Sequence, residues 1–466
     1  MQLSGDSGSR RALAGIAALT GIALLMRLYR LDEGLWLDEI TTWVRYMRLP
    51  LFEIPQFYGT ENQHFLFSLL ARLSMNVFGE SVWAFRLPAA LFGAASIWAM
   101  YLFGAEAADR KQGLLGAALL TFSYQHVWFS QNARGYAGLL FWTLMASWLL
   151  LRALREQRTA LWCAYAVAAA LGVYTHATMA FVLIGHAVIA AWQTRGVRAW
   201  RGTALGFGLA FTLTVLLHAP AMASIFSGVK HTVSVVQEWK SPLWTVLELA
   251  RGLRIGYAGA AAGVLALALF LAGVWSYWRT RPAVVALLVL PPVIGSSILL
   301  VMGHHIWPRF FYFAMGFGAL IVVRGALLIP RAGTAIAVAI ITVSAASVPF
   351  AYGPKQDFGA ARQYVLSQMQ PGDRVATSDL STWVYEQFYH SGWTDVHTAA
   401  ELAALRAPAG RTWFLYTLEP VFRSISPEVH EAVGRDFRIV KVFPGTLKNG
   451  EVTVCVRDAA GGAPSQ

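Results

Sequence analysis

The run RRALAGIAALTGIALLMRLYRL, residues 10–31, decides the fold class. It begins with two arginines and continues as an apolar segment of about the 20 residues that a helix needs to cross a bilayer. Basic residues before a first helix favour a cytoplasmic N-terminus. No small-residue cleavage site follows, so the run predicts a retained first membrane helix and not a removed signal peptide.

Similar apolar runs recur along most of the chain. Of its 466 residues, 56% are hydrophobic and only 13% are charged, about half the charged content of a soluble domain. The runs do not alternate, so they predict helices and not barrel strands. The net charge of +12 does not indicate a nucleic-acid partner, because most of the arginine falls in short loops predicted to face the cytoplasm. We predict a polytopic α-helical membrane protein of about eleven spans, namely 12–30, 84–104, 113–130, 136–154, 160–175, 177–193, 203–224, 258–278, 283–303, 310–328 and 333–352.

The first outer loop, residues 31–83, is long for a connection between membrane helices. From Ile40 to Met47, apolar residues recur at i, i+3, i+4 and i+7, the spacing of one helix face. Residues 64–78 predict a second helix. We expect both helices to lie in the plane of the membrane interface.

The composition changes at about Lys355. Strands are predicted in RTWFLYT, FRIVKVFPG and EVTVCVRD, and FGAARQYVLSQMQPGDRVATSD reads as a helix, a turn and a strand. We therefore predict a transmembrane domain over residues 1–353 and a small α/β domain over residues 354–466. By span parity the second domain is extracytoplasmic.

Two adjacent acids, Asp38 and Glu39, follow the first span and lie between Trp36 and Trp43. One interpretation is a solvated pair at a helix N-terminus, where acids are favourable. The other is a general base at the membrane surface, where a lipid-carried substrate presents its reactive group. The flanking tryptophans are typical of membrane interfaces and favour the second interpretation. We predict Asp38 and Glu39 as the catalytic residues.

Three more polar groups are predicted at the outer ends of spans. Asn62 and His64 begin the second outer-loop helix, where Asn62 would otherwise serve as a simple N-cap. Gln131, Arg134 and Tyr136 fall in WFSQNARGYAG, residues 128–138. The predicted substrate-binding residues are Asn62, His64, Gln131, Arg134, Tyr136 and Arg309.

Arg309 lies in GHHIWPRFFYF, residues 303–313. For Arg134, the simple alternative is a side chain that extends to lipid headgroups. Arg134 and Arg309, on different spans at one depth, are also suited to hold one phosphate between them. The sequence contains no Walker motif, Rossmann glycine pattern or cysteine–histidine metal cluster. The energy for any reaction must then come from a pre-activated substrate or an ion gradient, and no metal ligand is predicted.

These motifs, in this order, resemble a known family. WLDE after the first helix, then NQHFLFSLLARL, SQNARGYA and PRFFYF, look like the bacterial branch of the dolichyl-phosphate-mannose protein mannosyltransferases. That branch includes the aminoarabinose transferase of lipid A. The resemblance is strongest over residues 10–155 and loose in the C-terminal domain. It implies the C-type glycosyltransferase fold.

The resemblance also implies an activity. The family transfers a sugar, with inversion, from a polyprenyl-phosphate donor at the outer face of the bacterial cytoplasmic membrane. The acceptor would be a glycolipid, a glycan or a protein, and membrane lipids would surround the enzyme. Some relatives use a divalent metal and others do not, so the resemblance leaves a metal open.

The family's site residues carry over onto matching positions. Asp38 corresponds to the catalytic base, with Glu39 beside it. His64 matches the histidine of the second loop motif, although this chain has HFLF where the family often has His-Pro-Pro-Leu. Arg134, Tyr136 and Arg309 fall where the family contacts the lipid phosphate or shapes the donor cavity.

Two other functions are consistent with a polytopic membrane protein. A transporter or flippase of a lipid-linked substrate should place polar residues at the middle of its spans. Here the predicted spans are nearly free of acids and the polar groups gather at the outer ends, which argues against transport. A non-catalytic scaffold whose outer domain binds cell-wall material is the third alternative.

Overall fold

The contacts between residues divide the chain into two compact units. The first consists mainly of the residues up to Leu31 and of those between Leu49 and Tyr352. The second consists mainly of Asp32–Arg48 and of the residues from Gly353 onward. The computed structural model describes residues 3–229, 236–257, 259–405 and 410–459.

The first unit is helical. Within the described residues, eight helices are long and apolar enough to cross a membrane, and they coincide with eight of the predicted spans. The predicted polytopic helical architecture is thereby confirmed. The α-helices of this unit are α1 (Leu3–Leu28), α3 (Phe65–Phe78), α4 (Val82–Ala107), α5 (Arg110–Thr121), α6 (Tyr124–Ser130), α7 (Tyr136–Glu156), α8 (Thr159–Thr175), α9 (Met179–Gln193), α10 (Val197–His218), α11 (Met222–Val229), α12 (Pro242–Gly256), α13 (Ala260–Thr280), α14 (Pro282–Val301), α15 (Met315–Leu327) and α16 (Gly333–Ser347).

The other three predicted spans are shorter helices. The predicted span 113–130 is interrupted at Phe122 and Ser123, where α5 ends and α6 begins. The predicted spans 160–175 and 177–193 are α8 and α9, of 17 and 15 residues. Each is shorter than the roughly 20 residues of a typical membrane helix. The count of eleven spans therefore stays a prediction.

Helices α4 and α5 approach each other closely through two glycines. A methyl group added at Gly104 would lie 2.7 Å from the Cα atom of Gly113. Small residues at such crossings let helix backbones come into contact, and in a membrane this packing replaces the hydrophobic driving force. Several large residues of the unit, among them Trp162, Tyr165 and Phe317, are fully buried in the common core.

Gly104→Ala is expected to lower the free energy of unfolding by about 1–3 kcal/mol, the usual effect of overpacking. Gly21→Ala in α1 is the matched control, because the added methyl group has no neighbouring atom within 4 Å. Alanine is also preferred to glycine in a helix by about 1 kcal/mol. Thermal denaturation in detergent measures both variants. Equal melting temperatures would contradict the close α4–α5 packing.

The second unit contains a five-stranded sheet with the order β2-β1-β3-β5-β4. Strand β1 is parallel to both β2 and β3, whereas β5 is antiparallel to β3 and β4. The strands are β1 (Arg374–Thr377), β2 (Thr394–Asp395), β3 (Thr412–Thr417), β4 (Arg438–Phe443) and β5 (Val452–Arg457). The helices are α17 (Phe358–Gln368), α18 (Asp379–Gln387), α19 (Ala399–Ala404), α20 (Glu419–Ile425) and α21 (Pro427–Asp436).

The sheet confirms the predicted C-terminal α/β domain. The four predicted strand segments correspond to β1, β3, β4 and β5. Strand β2, of only two residues, is too short for a sequence pattern to detect. Phe414 and Cys455, from the two central strands, are buried and pack with Phe422 and Val429 from the helices.

The remaining part of the second unit comes from the first outer loop. Helix α2 (Leu37–Thr42) is followed directly by a π-helical turn, Trp43–Met47. The predicted helix is therefore present, but its apolar residues face α18: the Trp43 ring meets the Phe388 ring edge-on at 6.1 Å. By contact, this segment groups with the C-terminal residues, although the predicted division assigns the whole loop to the membrane domain. Its position in the membrane interface stays a prediction.

Candidate functional site

In the first unit, three predicted site residues come together. His64 is the residue before α3, Tyr136 is the first residue of α7, and Arg134 lies in the turn before it. The ring centroids of His64 and Tyr136 are 5.7 Å apart. The Arg134 guanidinium lies 5.6 Å from the Tyr136 ring centroid. All three side chains are buried.

Gly135 makes this approach feasible. A methyl group on Gly135 would lie 2.6 Å from the Thr175 carbonyl oxygen and 3.1 Å from the His64 Cβ atom. Any larger residue would push the start of α7 away from both neighbours. The Arg-Gly-Tyr order in this turn therefore positions a cation and a phenol on either side of a close backbone contact.

His176, which was not predicted as a site residue, belongs to the same group. Its ring stacks on His64 at a centroid distance of 4.7 Å and lies 5.0 Å from the Tyr136 ring. His176 Nδ1 accepts a hydrogen bond from the Thr178 backbone N–H at 3.2 Å. Its proton must then be on Nε2. The only sequence signal was a Thr-His pair between two short apolar runs.

Both histidines are held in the neutral form, and both lie outside the candidate membrane spans. Burial lowers the pKa of His64 well below its ordinary value, and the neighbouring Arg134 and His176 lower it further. Burial, followed by the charges of Arg134 and Arg309, lowers the pKa of His176 to about 3. The two arginines therefore act on the same imidazole.

The hydrogen bonds of His64 leave one ring nitrogen available. The ring bonds to the backbone of Thr175, and within the described part of the chain its Nε2 has no hydrogen-bond partner. A buried polar atom of this kind is unfavourable unless something else meets it. In the neutral ring this nitrogen is an acceptor, suited to a ligand hydroxyl.

This cluster predicts that the protein loses stability in acid. A histidine that is neutral when folded but has a pKa of about 6.5 when unfolded binds more protons in the unfolded state, so stability falls as pH falls below 6.5. For His176 the loss continues to about pH 3, at up to about 1.4 kcal/mol per pH unit. Melting temperatures in detergent between pH 7 and pH 4 measure it. His176→Asn retains an acceptor for Thr178 and should flatten the profile, whereas the exposed His390→Asn should not.

Arg309 lies in a short 3₁₀ helix, Pro308–Ala314, and packs against an aromatic side chain. Its guanidinium lies 4.4 Å from the Trp307 ring centroid. Trp307 in turn contacts Trp239 and Trp244 at centroid distances of 4.6 and 5.3 Å. The indoles hold this cation in place, since a guanidinium over an aromatic face is favourable by about 0.5–2 kcal/mol.

Two predicted binding residues have local contacts of their own. The Gln131 amide nitrogen donates to the carbonyl oxygens of Arg27, at 3.2 Å, and Tyr29, so this side chain joins α6 to the end of α1. The Asn62 backbone N–H donates to Thr60 Oγ1 at 3.3 Å. Asn62 is not the N-cap of α3, because that helix begins after His64. Substrate binding by Gln131 and Asn62 stays a prediction.

The predicted catalytic acids belong to the second unit, at the beginning of α2. Asp38 is half-buried, whereas Glu39 is fully buried. Glu39 Oε2 accepts a hydrogen bond from the Trp36 backbone N–H at 3.4 Å. Of the two carboxylates, Asp38 is the more exposed, and the Glu39 carboxylate stabilises the start of the helix. The catalytic role of Asp38 and Glu39 stays a prediction.

The donor set for a metal is sparse. Among the described residues, no group of three or more His, Cys, Asp or Glu side chains could hold a metal ion. A divalent cation prefers several carboxylate or carbonyl oxygens, and Asp38 with Glu39 supplies a single accessible carboxylate.

Comparisons with known proteins agree with this architecture. Residues 62–223 match the family model of dolichyl-phosphate-mannose-protein mannosyltransferases. That segment includes His64, Arg134 and His176 but not Asp38. No curated protein sequence is significantly similar to the chain.

Two solved structures share the fold over most of the chain. ArnT from Cupriavidus metallidurans bound to undecaprenyl phosphate is 13% identical, over 97% of this chain and 99% of its own, with a TM-score of 0.52. The archaeal oligosaccharyltransferase AglB from Archaeoglobus fulgidus, in complex with an inhibitory peptide and a dolichol-phosphate, is 11% identical. That match covers 93% of this chain and 73% of AglB, with a TM-score of 0.57. The fold that the sequence motifs implied is confirmed.

Proposed function

We propose that this chain, whose residues 62–223 match the family model of dolichyl-phosphate-mannose-protein mannosyltransferases, is a member of that family and an integral-membrane glycosyltransferase. It transfers a sugar, with inversion, from a polyprenyl-phosphate donor to a glycolipid, glycan or protein acceptor. It resides in the bacterial cytoplasmic membrane with its N-terminus inside. The reaction takes place at the outer face, where the C-terminal domain also lies.

One observation carries the proposal: Arg134 and Arg309, 175 positions apart in the sequence, both lie near enough to the buried His176 for their charges to lower its pKa. The Tyr136 ring, which lies against Arg134, is also 6.2 Å from the ring of Tyr312, which is in the same 3₁₀ helix as Arg309. Two cations in these places beside neutral histidines are suited to bind an anion. The leaving group of the proposed reaction is a lipid phosphate. Charge develops on its bridging oxygen as the bond to the sugar breaks, and guanidinium groups stabilise that charge well.

The fold relatives support the donor class. ArnT was solved bound to undecaprenyl phosphate, and AglB was solved in complex with a dolichol-phosphate. Both lipids are polyprenyl phosphates, the product that remains when a sugar is transferred from such a carrier. The same class of donor requires no nucleotide-binding motif, in agreement with the sequence.

In the proposed mechanism, the acceptor's nucleophilic atom bonds to the anomeric carbon from the side opposite the phosphate. The bond between that carbon and the phosphate oxygen breaks, and polyprenyl phosphate leaves with the electron pair. The acceptor's proton passes to the Asp38 carboxylate as general base. Arg134 and Arg309 hold the departing phosphate, Tyr136 supports Arg134, and His64 Nε2 accepts a hydrogen bond from a donor hydroxyl.

The test is a donor panel. Purified protein in detergent is given synthetic polyprenyl-phosphate sugars, or nucleotide sugars with the same sugars, together with total envelope lipids as acceptor. We expect release of polyprenyl phosphate from at least one lipid donor and no consumption of any nucleotide sugar. Consumption of a nucleotide sugar would contradict the proposal. So would movement of intact lipid-linked sugar across liposomes without release, which would identify a flippase.

A further inference from the structure

Helix α2, which carries Asp38, has one capping hydrogen bond from its own side chains, in which Glu39 Oε2 accepts the backbone N–H of the N-cap residue Trp36. The first N–H groups of any helix lack internal partners and need acceptors from elsewhere. With six residues, α2 is also far shorter than the 12–15 residues at which isolated helices become marginally stable. Its position therefore depends on contacts with the rest of the second unit.

Gln356 supplies a further acceptor at the start of α2, from 319 positions away. Its Oε1 accepts a hydrogen bond from the backbone N–H of Leu37, the residue before Asp38, at 3.1 Å. Its Nε2 donates to Thr417 Oγ1 at 2.9 Å. Thr417 is the last residue of β3, and the Gln356 side chain is buried. One amide group thus joins the first turn of α2 to the sheet.

The other end of this segment, at Arg45 and Arg48, also contacts the second unit. The Arg45 guanidinium lies 4.9 Å from the centroid of the Trp383 ring. The Arg48 guanidinium donates to the Gln387 carbonyl oxygen at 2.9 Å. Trp383 and Gln387 are both in α18, so this end is attached to a helix and the first end to the sheet.

We infer that Gln356 is a positioning residue for the Asp38 carboxylate, and that the C-terminal domain sets the geometry of the reaction through it. The inference rests on the proposed function for the role of Asp38. The Leu37–Gln356–Thr417 connection fixes the rotation and height of the first turn of α2, from which Asp38 projects. Displacement of a catalytic group by about 1 Å can reduce a rate by roughly a hundredfold, so the connection matters more to turnover than to donor binding.

The experiment uses two variants that break the connection and two that do not. Gln356→Leu removes both hydrogen bonds at nearly constant volume, and Thr417→Val removes one. Thr417→Ser retains the hydroxyl and should restore the wild-type values. Thr412→Val is the matched control, because Thr412 is on the same strand and its hydroxyl donates to the Leu405 carbonyl instead.

The first readout is hydrogen exchange in the full-length protein. Gln356→Leu is expected to accelerate amide exchange in residues 36–42 about tenfold, which corresponds to loss of one net hydrogen bond. The second readout separates kcat from KM: kcat should fall about ten- to a hundredfold while KM for the lipid donor stays within about twofold of wild type. Thr417→Val should follow in the same direction, and Thr412→Val should change neither readout.

Unchanged exchange in α2 would overturn the inference, and so would faster exchange with unchanged kcat. An equal loss of kcat in Thr412→Val would overturn it too, by showing a general destabilisation. Failure of the proposed function has a different signature. In that case wild-type protein releases polyprenyl phosphate from no lipid donor and no kcat can be compared, whereas the exchange data still report on the contact between Gln356 and α2.

Discussion

Asp38→Asn is expected to reduce the rate of polyprenyl-phosphate release by roughly 10²–10⁴-fold, the usual contribution of a general base. The substitution changes the volume of the side chain very little and removes its capacity to accept the acceptor's proton. Donor binding should be nearly unchanged, because the donor phosphate is held by Arg134 and Arg309. The measurement is single-turnover release in detergent with saturating donor.

Two neighbouring acids serve as controls. Asp32→Asn makes the same change at an exposed position in the same loop and should leave the rate unaltered. Glu39→Gln alters a buried carboxylate that accepts the Trp36 N–H, and we expect its main effect on the stability of α2. If Asp38→Asn releases polyprenyl phosphate at nearly the wild-type rate, Asp38 only stabilises the helix N-terminus. The general base must then be another group.

Arg134→Gln is the second large effect, with an expected loss of about 10²–10³-fold in kcat, comparable to removal of one transition-state donor. Charge on the leaving phosphate is greatest in the transition state, so kcat should fall more than donor affinity. Arg134→Lys should recover only part of the activity, because an ammonium group lacks the planar pair of donors. Arg72→Gln, which breaks a surface ion pair with Glu80, is the control.

A double variant tests whether the two arginines serve one phosphate. If Arg134 and Arg309 stabilise the same charge, the loss in Arg134→Gln/Arg309→Gln should be smaller than the product of the single losses. Strictly multiplicative losses would contradict a shared phosphate. An independent check is available in acid: Arg134 lowers the pKa of His176, so its removal should raise that pKa and reduce the acid sensitivity.

Most of the helices and strands could be predicted from the sequence, since the periodicity of apolar residues and the turn residues are local signals. Helix α12 was not predicted. The cluster of His64, Arg134 and Tyr136 was within reach for a related reason: each lies at the outer end of a predicted helix. His176 was missed because a single histidine between two apolar runs has no distinguishing pattern.

The contact of α2 with the C-terminal residues could not be predicted from the sequence, for a different reason. It depends on hydrogen bonds between Leu37, Gln356 and Thr417, and no periodicity in one segment reports a partner three hundred positions away. The apolar face from Ile40 to Met47 was predicted to lie in the membrane interface, and no pattern within the segment indicates its contact with α18.

The same hydrogen bond has a consequence for the synthesis of the protein. Leu37 leaves the ribosome 319 residues before Gln356, which at about 5–20 residues per second corresponds to roughly 15–60 s. During that interval helix α2 lacks the partner that holds its first turn, although the first membrane helices are already inserted. Only a chain that has been translated beyond Gln356 can complete this hydrogen bond. An unfinished chain, or one truncated before Gln356, would carry Asp38 on a helix whose first turn lacks this contact.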